Sequence, residues 1–327
     1  MTTAKAPQLK RPPLPASYYH PSALWSNLLI LYALSLFVIP SIFARALLSM
    51  GLSWPLAVLL IAPCIWLAAQ GLFLLGWIGH EGAAHFSLYR NKNLSTLVGI
   101  FVSSAVPNFL ELGFAVGHND HHRFTNQASD PDCQHFRLFK NIWTRTLFAR
   151  TEANFNYLMT TLKIAFNRPL PDSYIFPYKG ASLVALAWFN LGCSLLWLAA
   201  YAFITLLEPM TGLVCILLPT VLTYILSSVQ PYLEHAGTDT GIGRNARSRI
   251  SPLFTLLYAG NNYHLEHHTY PGVPCYRLPS VQQLLIAQGF HKEDAFIEPG
   301  IWRVYAKCVT LPYPKEGQQD SPDCPIL

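Results

Sequence analysis

Four long apolar segments constrain this chain more than any other feature of its sequence. They cover about residues 24–48, 53–79, 180–207 and 210–232, and each could cross the roughly 30 Å hydrocarbon core of a bilayer as a helix. Hydrophobic residues make up 52% of the 327 residues and charged residues only 12%, too little charge for an ordinary soluble domain. We therefore predict an all-α integral membrane protein with four transmembrane helices, and not a soluble nucleic-acid-binding protein.

The predicted organisation has three parts. An N-terminal tail covers residues 1–23, a membrane domain covers 24–290, and a C-terminal tail covers 291–327. A further apolar run, 94–116, contains proline, asparagine and glutamate, which are costly at the centre of a lipid-exposed helix. We expect this run to be interfacial or re-entrant and not a fifth span.

The basic residues predict the orientation of the chain in the membrane. Four spans place residues 1–23, 80–179 and 233–327 on one side. These regions contain every Lys and Arg except Arg45. Because such residues concentrate in cytoplasmic segments, we expect both termini and the long segment to be cytoplasmic.

Nine histidines fall near the predicted membrane exits on that same side. Two clusters have the spacing His-x2-His-His, a third reads His-x4-His, and a single histidine follows the last span. They are His80, His85, His118, His121, His122, His235, His264, His267 and His268. Neutral imidazole is the commonest metal ligand in proteins. We therefore predict all nine as metal ligands in a cytoplasmic helical cap.

Helix geometry predicts two metal ions. In each His-x2-His-His cluster the first two histidines lie on nearly the same helix face and could bind one ion, whereas the third points about 100° away. His80 and His85 point about 140° apart on an ideal helix, which also suits two ions. The prediction is a dinuclear centre, with no catalytic side chain separate from its ligands.

The ligand chemistry favours iron. Structural zinc sites often include cysteine, but none of the seven cysteines lies within a cluster. Magnesium and calcium prefer oxygen ligands. All-histidine ligation of two ions suits iron best among redox metals, with copper and manganese as alternatives.

Several polar residues beside the clusters are candidates for supporting roles. Four acids could orient the imidazole rings by accepting a ring N–H: Glu81, Asp120, Glu234 and Glu266. Asn261, one turn before His264, could hold a water on a metal. The three remaining histidines are expected to lie outside the site: His20, His135 and His291.

The three clusters together resemble a known pattern. His80-x4-His85, His118-x2-His121-His122 and His264-x2-His267-His268 are similar to the three histidine boxes of membrane fatty acid desaturases. The resemblance covers about residues 20–290, and His235 is similar to an extra ligand of some members. It implies two iron ions on the cytoplasmic face, molecular oxygen as co-substrate, and removal of hydrogen from an unactivated carbon of a lipid chain.

The resemblance leaves the outcome of that reaction open. Desaturation of a fatty acyl chain is our first expectation. The superfamily also contains lipid hydroxylases, carotenoid ketolases and decarboxylases that form a terminal alkene from a fatty acid. A non-catalytic metal-binding or transport protein is a remote alternative, because transport should place ligands at mid-membrane and the predicted spans are nearly free of them.

The sequence contains no fused electron carrier. It has neither a His-Pro-Gly-Gly haem motif nor the paired cysteines of a rubredoxin or ferredoxin. The resemblance therefore implies a separate donor of the ferredoxin, rubredoxin or cytochrome b type. A predicted basic surface could dock an acidic donor or an acyl carrier. Its members are Arg123, Lys140, Arg145, Arg150, Arg244, Arg247 and Arg249.

Overall fold

The computed structural model describes residues 10–170, 176–291, 296–299 and 309–314. Over these ranges the chain is mostly helical and contains only two strands, each of three residues. The predicted all-α class is therefore confirmed. The first nine residues of the predicted N-terminal tail, and most of the predicted C-terminal tail, lie outside the described residues.

The elements follow one another along the sequence with short connections. The α-helices are α1 (Ala23–Leu48), α2 (Trp54–Ala84), α3 (Lys92–Ser103), α4 (Glu111–Phe124), α5 (Pro131–Phe136), α6 (Ile142–Leu147), α7 (Ala149–Ala165), α8 (Gly180–Leu207), α9 (Pro209–Gly212), α10 (Leu218–His235), α11 (Pro252–Tyr258), α12 (His264–Thr269) and α13 (Leu278–Ala287). Single 3-10 turns lie at Ala16–Tyr19 and Cys275–Arg277, and a π-helical turn, Leu213–Leu217, joins α9 to α10. Strands β1 (Ser248–Ile250) and β2 (Ile297–Pro299) pair in parallel, with Ser248 opposite Ile297.

Four helical stretches are long and apolar enough to cross a membrane, which confirms the predicted spans. They are α1, α2, α8 and the run Pro209–His235, which comprises α9, the π-helical turn and α10. Helix α2 continues past the predicted end at residue 79 to Ala84, and His85 is its C-cap. The first histidine box therefore lies at the end of a span and not in a loop.

The apolar run 94–116 breaks in the middle, as its polar residues predict. Residues 104–110 separate α3 from α4. Within them Asn108 has a left-handed backbone, with φ of +60°, which asparagine tolerates better than most residues. The hydroxyls of Tyr201 and Tyr224 donate to backbone carbonyls of this connection, at 2.7 and 2.6 Å. Because a buried carbonyl without a partner is costly, these bonds stabilise the break.

The described chain divides into two compact units. The membrane unit comprises Pro21–His118 and Trp143–Gln230. The histidine unit comprises Asn119–Ile142 together with the described parts of residues 1–20 and 231–327. Three of the nine predicted ligands belong to the membrane unit and six to the histidine unit.

Glycines allow close helix crossings in the membrane unit. A Cβ atom on Gly71 of α2 would stand 2.4 Å from the backbone nitrogen of Phe37 in α1. A Cβ atom on Gly99 of α3 would stand 2.6 Å from the Cβ of Ala83 in α2. Small residues let helices in lipid approach and gain van der Waals contact. These crossings fix the half of α2 that carries the first histidine box.

An ion pair joins the ends of two spans in the membrane unit. Arg45 Nε, near the end of α1, lies 2.6 Å from Glu208 Oε2, which follows α8. Arg45 is the one basic residue outside the three regions expected to be cytoplasmic. Its positive charge is balanced by an acid instead of standing alone.

The N-terminal segment packs against a distant part of the histidine unit. Three side chains between residues 14 and 19 contact a buried apolar core around Tyr270. The Tyr270 hydroxyl also donates to the carbonyl of Pro12 at 2.5 Å, and Arg277 donates to the carbonyl of Ser17. The segment that follows the third histidine box is therefore held by residues from near the start of the sequence.

Replacing Gly99 with Ala tests the crossing of α3 and α2. Overpacking of this kind costs about 1–3 kcal/mol, so we expect a lower midpoint of thermal unfolding in detergent, followed with a thiol-reactive dye. The matched control is Gly192→Ala in α8, where the added Cβ would meet nothing within 4 Å. Equal midpoints of thermal unfolding for the two variants would contradict the close contact between α3 and α2 at Gly99.

Candidate metal centre

Four imidazoles of the histidine unit converge in a buried cluster. His264 Nε2 lies 3.0 Å from His235 Nε2 and 3.1 Å from His268 Nε2. A ring nitrogen of His121 lies within 4.8 Å of those of His235 and His268. All four residues are at most 3% exposed. Four of the nine predicted ligands are thus brought together.

The opposite nitrogen of each ring has an outer partner. The contacts are His121 Nδ1 to Asp130 Oδ1 (2.9 Å), His235 Nδ1 to the carbonyl oxygen of Asn245 (3.0 Å), His268 Nδ1 to Thr125 Oγ1 (3.2 Å) and His264 Nδ1 to Glu234 Oε1 (3.5 Å). Metal-binding histidines usually have such a partner, because it fixes the tautomer and the orientation of the ring. An acceptor at Nδ1 keeps the proton there and directs the Nε2 lone pair into the cluster.

The spacing and protonation of this cluster fit a metal ion. Metal–nitrogen bonds of about 2.1 Å separate two ligand nitrogens at a right angle by about 3.0 Å, which is the spacing observed. Burial, and after it the neighbouring imidazoles, lowers the pKa of His268 well below its ordinary value. The ring is therefore neutral near pH 7, and neutral imidazole is the form that binds metals.

Short elements and helix ends present these side chains. His121 lies in the last turn of α4 and His235 ends α10. Helix α12 presents His264 beside His268, four residues on, instead of beside His267 as the sequence predicts. Positions i and i+4 share a helix face as closely as i and i+3 do, so spacing alone does not choose between the two pairings.

The sequence patterns do not single out three of the outer partners, namely Asp130, Thr125 and the carbonyl of Asn245. Asp130 also accepts from the backbone N–H of Asp132 at 2.9 Å and caps α5. Aspartate followed by proline does signal a helix N-terminus. Nothing in that signal shows that the same carboxylate reaches an imidazole nine residues earlier.

The histidine unit contains a further pair of predicted ligands. His122 Nε2 lies 3.2 Å from His267 Nε2, and both residues are buried. As expected from the helix geometry, His122 faces a different histidine from its neighbour His121, and the centroids of the two rings are 5.7 Å apart. The pair contributes two more ligand nitrogens, so all six histidines of this unit that were predicted as ligands face another predicted ligand.

In the membrane unit, His85 and His118 converge together with an acid. Their Nε2 atoms lie 3.0 Å apart. Glu81 Oε2 lies 3.2 Å from His118 Nε2 and 3.5 Å from His85 Nε2. The three side chains are at most 8% exposed. The structure therefore places the Glu81 carboxylate among the ligand nitrogens and not behind a ring.

His80, the remaining predicted ligand, has aromatic rings and an acid as its neighbours. Its ring stacks on Phe109 and Phe114, at centroid distances of 4.8 and 4.3 Å, and its Nε2 lies 3.8 Å from Glu111 Oε2. Burial, reinforced by the charge of Glu81, raises the pKa of Glu111 well above its ordinary value. Among the described residues, His80 belongs to none of the groups of convergent ligand atoms.

The predicted outer residues have other surroundings. Glu266 Oε2 accepts from the hydroxyl of Ser248 in β1 at 2.5 Å. Its other oxygen lies 2.9 Å from Nε2 of His291, a histidine expected to lie outside the site. Asp120 and Asn261 are buried, and neither belongs to a described group of convergent ligand atoms. The same is true of the three histidines expected to lie outside the site, His20, His135 and His291.

The predicted basic surface is wrong for four of its seven members. Each of these four residues is buried, with at most 4% of its surface exposed: Arg145, Arg150, Arg247 and Arg249. Arg150 donates to the carbonyl of Ser227 at 3.0 Å, and Arg247 donates to those of Leu233 and Ala236 at 3.1 and 3.0 Å. A guanidinium has five N–H donors, so these side chains satisfy carbonyls in and after α10. The other three members are partly or fully exposed.

Known proteins are similar to this chain over most of the part that contains the histidines. The fatty acid desaturase family matches residues 52–298, which include all nine predicted ligands. The Delta(5) fatty acid desaturase fat-4 of Caenorhabditis elegans is 23% identical over 245 residues, or 64% of this chain and 54% of the relative. The Delta(8)-fatty-acid desaturase of Helianthus annuus is 22% identical over 258 residues, with coverages of 64% and 52%. The chain spans about half the length of these curated relatives.

Replacing Asp130 with Asn tests the outer partner of His121. Loss of such a partner lowers metal affinity by about 10–100-fold, so we expect the variant to release metal to a chelator at correspondingly lower chelator concentration. The control is Asp132→Asn, whose carboxylate lies 3.8 Å from the same nitrogen and is 19% exposed; it should change the release much less. Equal metal retention by Asp130→Asn and wild type would contradict the role of Asp130.

Proposed function

Because the chain belongs to the fatty acid desaturase family, we propose that it is an oxygen-dependent membrane oxidoreductase that desaturates a fatty acyl chain. The observation that carries this proposal is the cluster of His121, His235, His264 and His268, which lies within the family match. Buried imidazoles with Nδ1 held and Nε2 convergent form a set of ligands for a redox metal. The two relatives named above are fatty acid desaturases, which supports the reaction class.

The proposed cofactor is a pair of iron ions, with molecular oxygen as co-substrate. The proposed ligands are the nine histidines of the sequence prediction. Among the described groups of convergent ligand atoms none contains cysteine, and imidazole-rich ligation suits iron among the redox metals. When bound, iron would supply the oxygen activation and hydrogen removal that no amino-acid side chain can perform.

The side chains of the protein would hold, orient and shield those ligands. Three imidazole rings are oriented by a contact at Nδ1, made by Asp130, Glu234 and the carbonyl of Asn245. The burial of the histidines keeps bulk water from the ligand atoms, which strengthens electrostatic interactions and limits side reactions. Four spans hold the chain in the bilayer, where acyl chains reside.

The proposed partners are a lipid or fatty acyl substrate and a separate electron donor of the ferredoxin, rubredoxin or cytochrome b type. We place the metal site and both termini on the cytoplasmic side. The distribution of Lys and Arg supports this orientation.

Ligand variants test the metal site directly. We expect His121→Ala and His267→Ala each to abolish turnover and to lower the iron content, while membrane insertion is retained. Iron per chain is measured by mass spectrometry on detergent-purified protein, and insertion by carbonate extraction of membranes. The control is His20→Ala, because His20 is exposed and should be dispensable. Full activity in either variant would contradict the assignment of that histidine as a metal ligand.

The reaction itself is tested by expressing the full chain in a bacterial host with iron, oxygen and a reducing system. Mass spectrometry of the lipids should show acyl chains lighter by two hydrogens. The control is the His121→Ala variant, which should leave the lipids unchanged. A hydroxylated chain or a volatile alkene, with unchanged unsaturation, would contradict desaturation and point to another reaction of the same superfamily.

A further inference from the structure

A buried arginine lies in the histidine unit close to the third histidine box. Arg249 belongs to strand β1 and is 1% exposed. Its guanidinium lies over the rings of Tyr258 and Phe254, 4.8 and 5.6 Å from their centroids. The faces of these rings attract a cation, but a charge taken out of water also needs an opposite charge near it. The acid that the guanidinium faces therefore indicates what Arg249 does.

That acid is Glu234, which lies between the guanidinium and an imidazole. Arg249 Nη2 lies 3.8 Å from Glu234 Oε1, and both side chains are at most 2% exposed. The same oxygen lies 3.5 Å from Nδ1 of His264. At 3.8 Å the contact with the guanidinium is an ion pair and not a hydrogen bond, and such an attraction is strong where water is excluded.

The guanidinium is directed at the acid and not at the backbone. In the part of the chain that the structure describes, neither Nε nor Nη2 of Arg249 has a hydrogen-bond partner. Arg247 lies two residues earlier on the sequence and is equally buried, but it donates to the carbonyls of Leu233 and Ala236. The two arginines therefore have different tasks: one satisfies carbonyls near the end of α10, and the other balances the charge of Glu234.

The backbone of Arg249 is fixed to the segment that leads into the third box. Its N–H donates to the carbonyl of Asn262 at 2.9 Å, and its carbonyl accepts from the side-chain amide of Asn262 at 2.8 Å. Asn262 lies two residues before His264, and Glu234 directly precedes His235, where α10 ends. Arg249 thus connects the end of the last span with the third box, through its side chain on one side and its backbone on the other.

Asp130, which faces another ring of the cluster, shows how such a carboxylate is held. It accepts from the backbone N–H groups of Asn126 and Asp132 at 2.8 and 2.9 Å. Glu234 has one more rotatable bond than an aspartate, so more freedom is lost when its carboxylate is kept beside one ring. The guanidinium of Arg249, itself fixed by strand and ring contacts, supplies a stationary positive charge for this purpose.

We propose that Arg249 is a positioning residue of the metal centre: its guanidinium holds Glu234 at Nδ1 of His264 and thereby directs the Nε2 lone pair of His264 into the cluster. This inference rests on the proposed function, in which His264 is a ligand. An acceptor at Nδ1 fixes the tautomer and orientation of a ligand ring and raises its basicity. Displacement of the Glu234 carboxylate should therefore weaken the bond between His264 and a metal.

The test is a double-mutant cycle on metal affinity, measured with the full chain in detergent. Cobalt(II) is the probe, because its visible absorption spectrum depends on its ligands, and affinity is measured by competition with a chelator. We expect Arg249→Met and Glu234→Gln each to weaken cobalt binding by about 10–100-fold and to change the spectrum in the same way. The double variant should bind no more weakly than Glu234→Gln alone, because the arginine acts through the glutamate.

Two further variants separate positioning from a merely structural role. Arg249→Lys keeps the positive charge but not the planar guanidinium, so it should recover part of the cobalt affinity; it also replaces Arg249→Met in the cycle if that variant fails to fold. The matched control Arg247→Met should lower the midpoint of thermal unfolding and leave the cobalt spectrum and affinity unchanged. Additive losses in the cycle, or equal losses of affinity in Arg247→Met and Arg249→Met, would overturn the role of Arg249.

Analysis of the lipids separates this role from the proposed function. If the cycle shows coupling but the wild type forms no desaturated product, the role of Arg249 stands and the proposed reaction fails. If the wild type desaturates lipids and the losses of affinity are additive, the reaction stands and the role of Arg249 fails. A wild-type chain that binds neither cobalt nor iron would overturn both.

Discussion

The structure depends on holding several neutral imidazole nitrogens together in a buried space. Lone pairs that face one another at about 3 Å do not stabilise each other, and a buried polar group is costly unless it is bonded. The surrounding protein therefore supplies the bonds on the other side of each ring. An aspartate at a helix N-terminus, a threonine hydroxyl and a backbone carbonyl do this for His121, His268 and His235. The site is stabilised by its surroundings before any ion contributes.

The two units achieve rigidity by different means. In the membrane unit, glycines such as Gly71 and Gly99 let helices approach until backbone and Cβ atoms touch, because apolar surface alone gives little driving force between helices in lipid. In the histidine unit, buried polar groups dominate. Arg247 binds two carbonyls near the end of α10, and Glu266 binds the Ser248 hydroxyl of β1. Steric fit positions the first box, and hydrogen bonds position the third.

Much of the fold and of the residue list for the site can be predicted from the sequence, whereas the side-chain partners cannot. Hydropathy identifies the spans because the length of a membrane helix is set by the bilayer. Spacing identifies the histidines, but it does not choose between His267 and His268 as the neighbour of His264. It also does not show that His80 faces Glu111 or that Arg247 is buried, since a count of charges contains no information about tertiary contacts. These features depend on rotamers and on residues distant in sequence.

The histidine unit is assembled from three separated stretches of sequence, and this sets the order of events during biosynthesis. The ribosome makes the chain from its N-terminus, and domains generally fold as units as they emerge. His121 is synthesised before the last two spans, yet its partner His268 follows all four. The hydrogen bond between the carbonyl of Pro12 and the hydroxyl of Tyr270 likewise cannot form until Tyr270, 258 residues later, has been synthesised. Loading of the proposed metal into this unit would consequently be a late step, completed after the last helix has been made. A prematurely terminated chain would carry the first two boxes without a cluster to receive the metal.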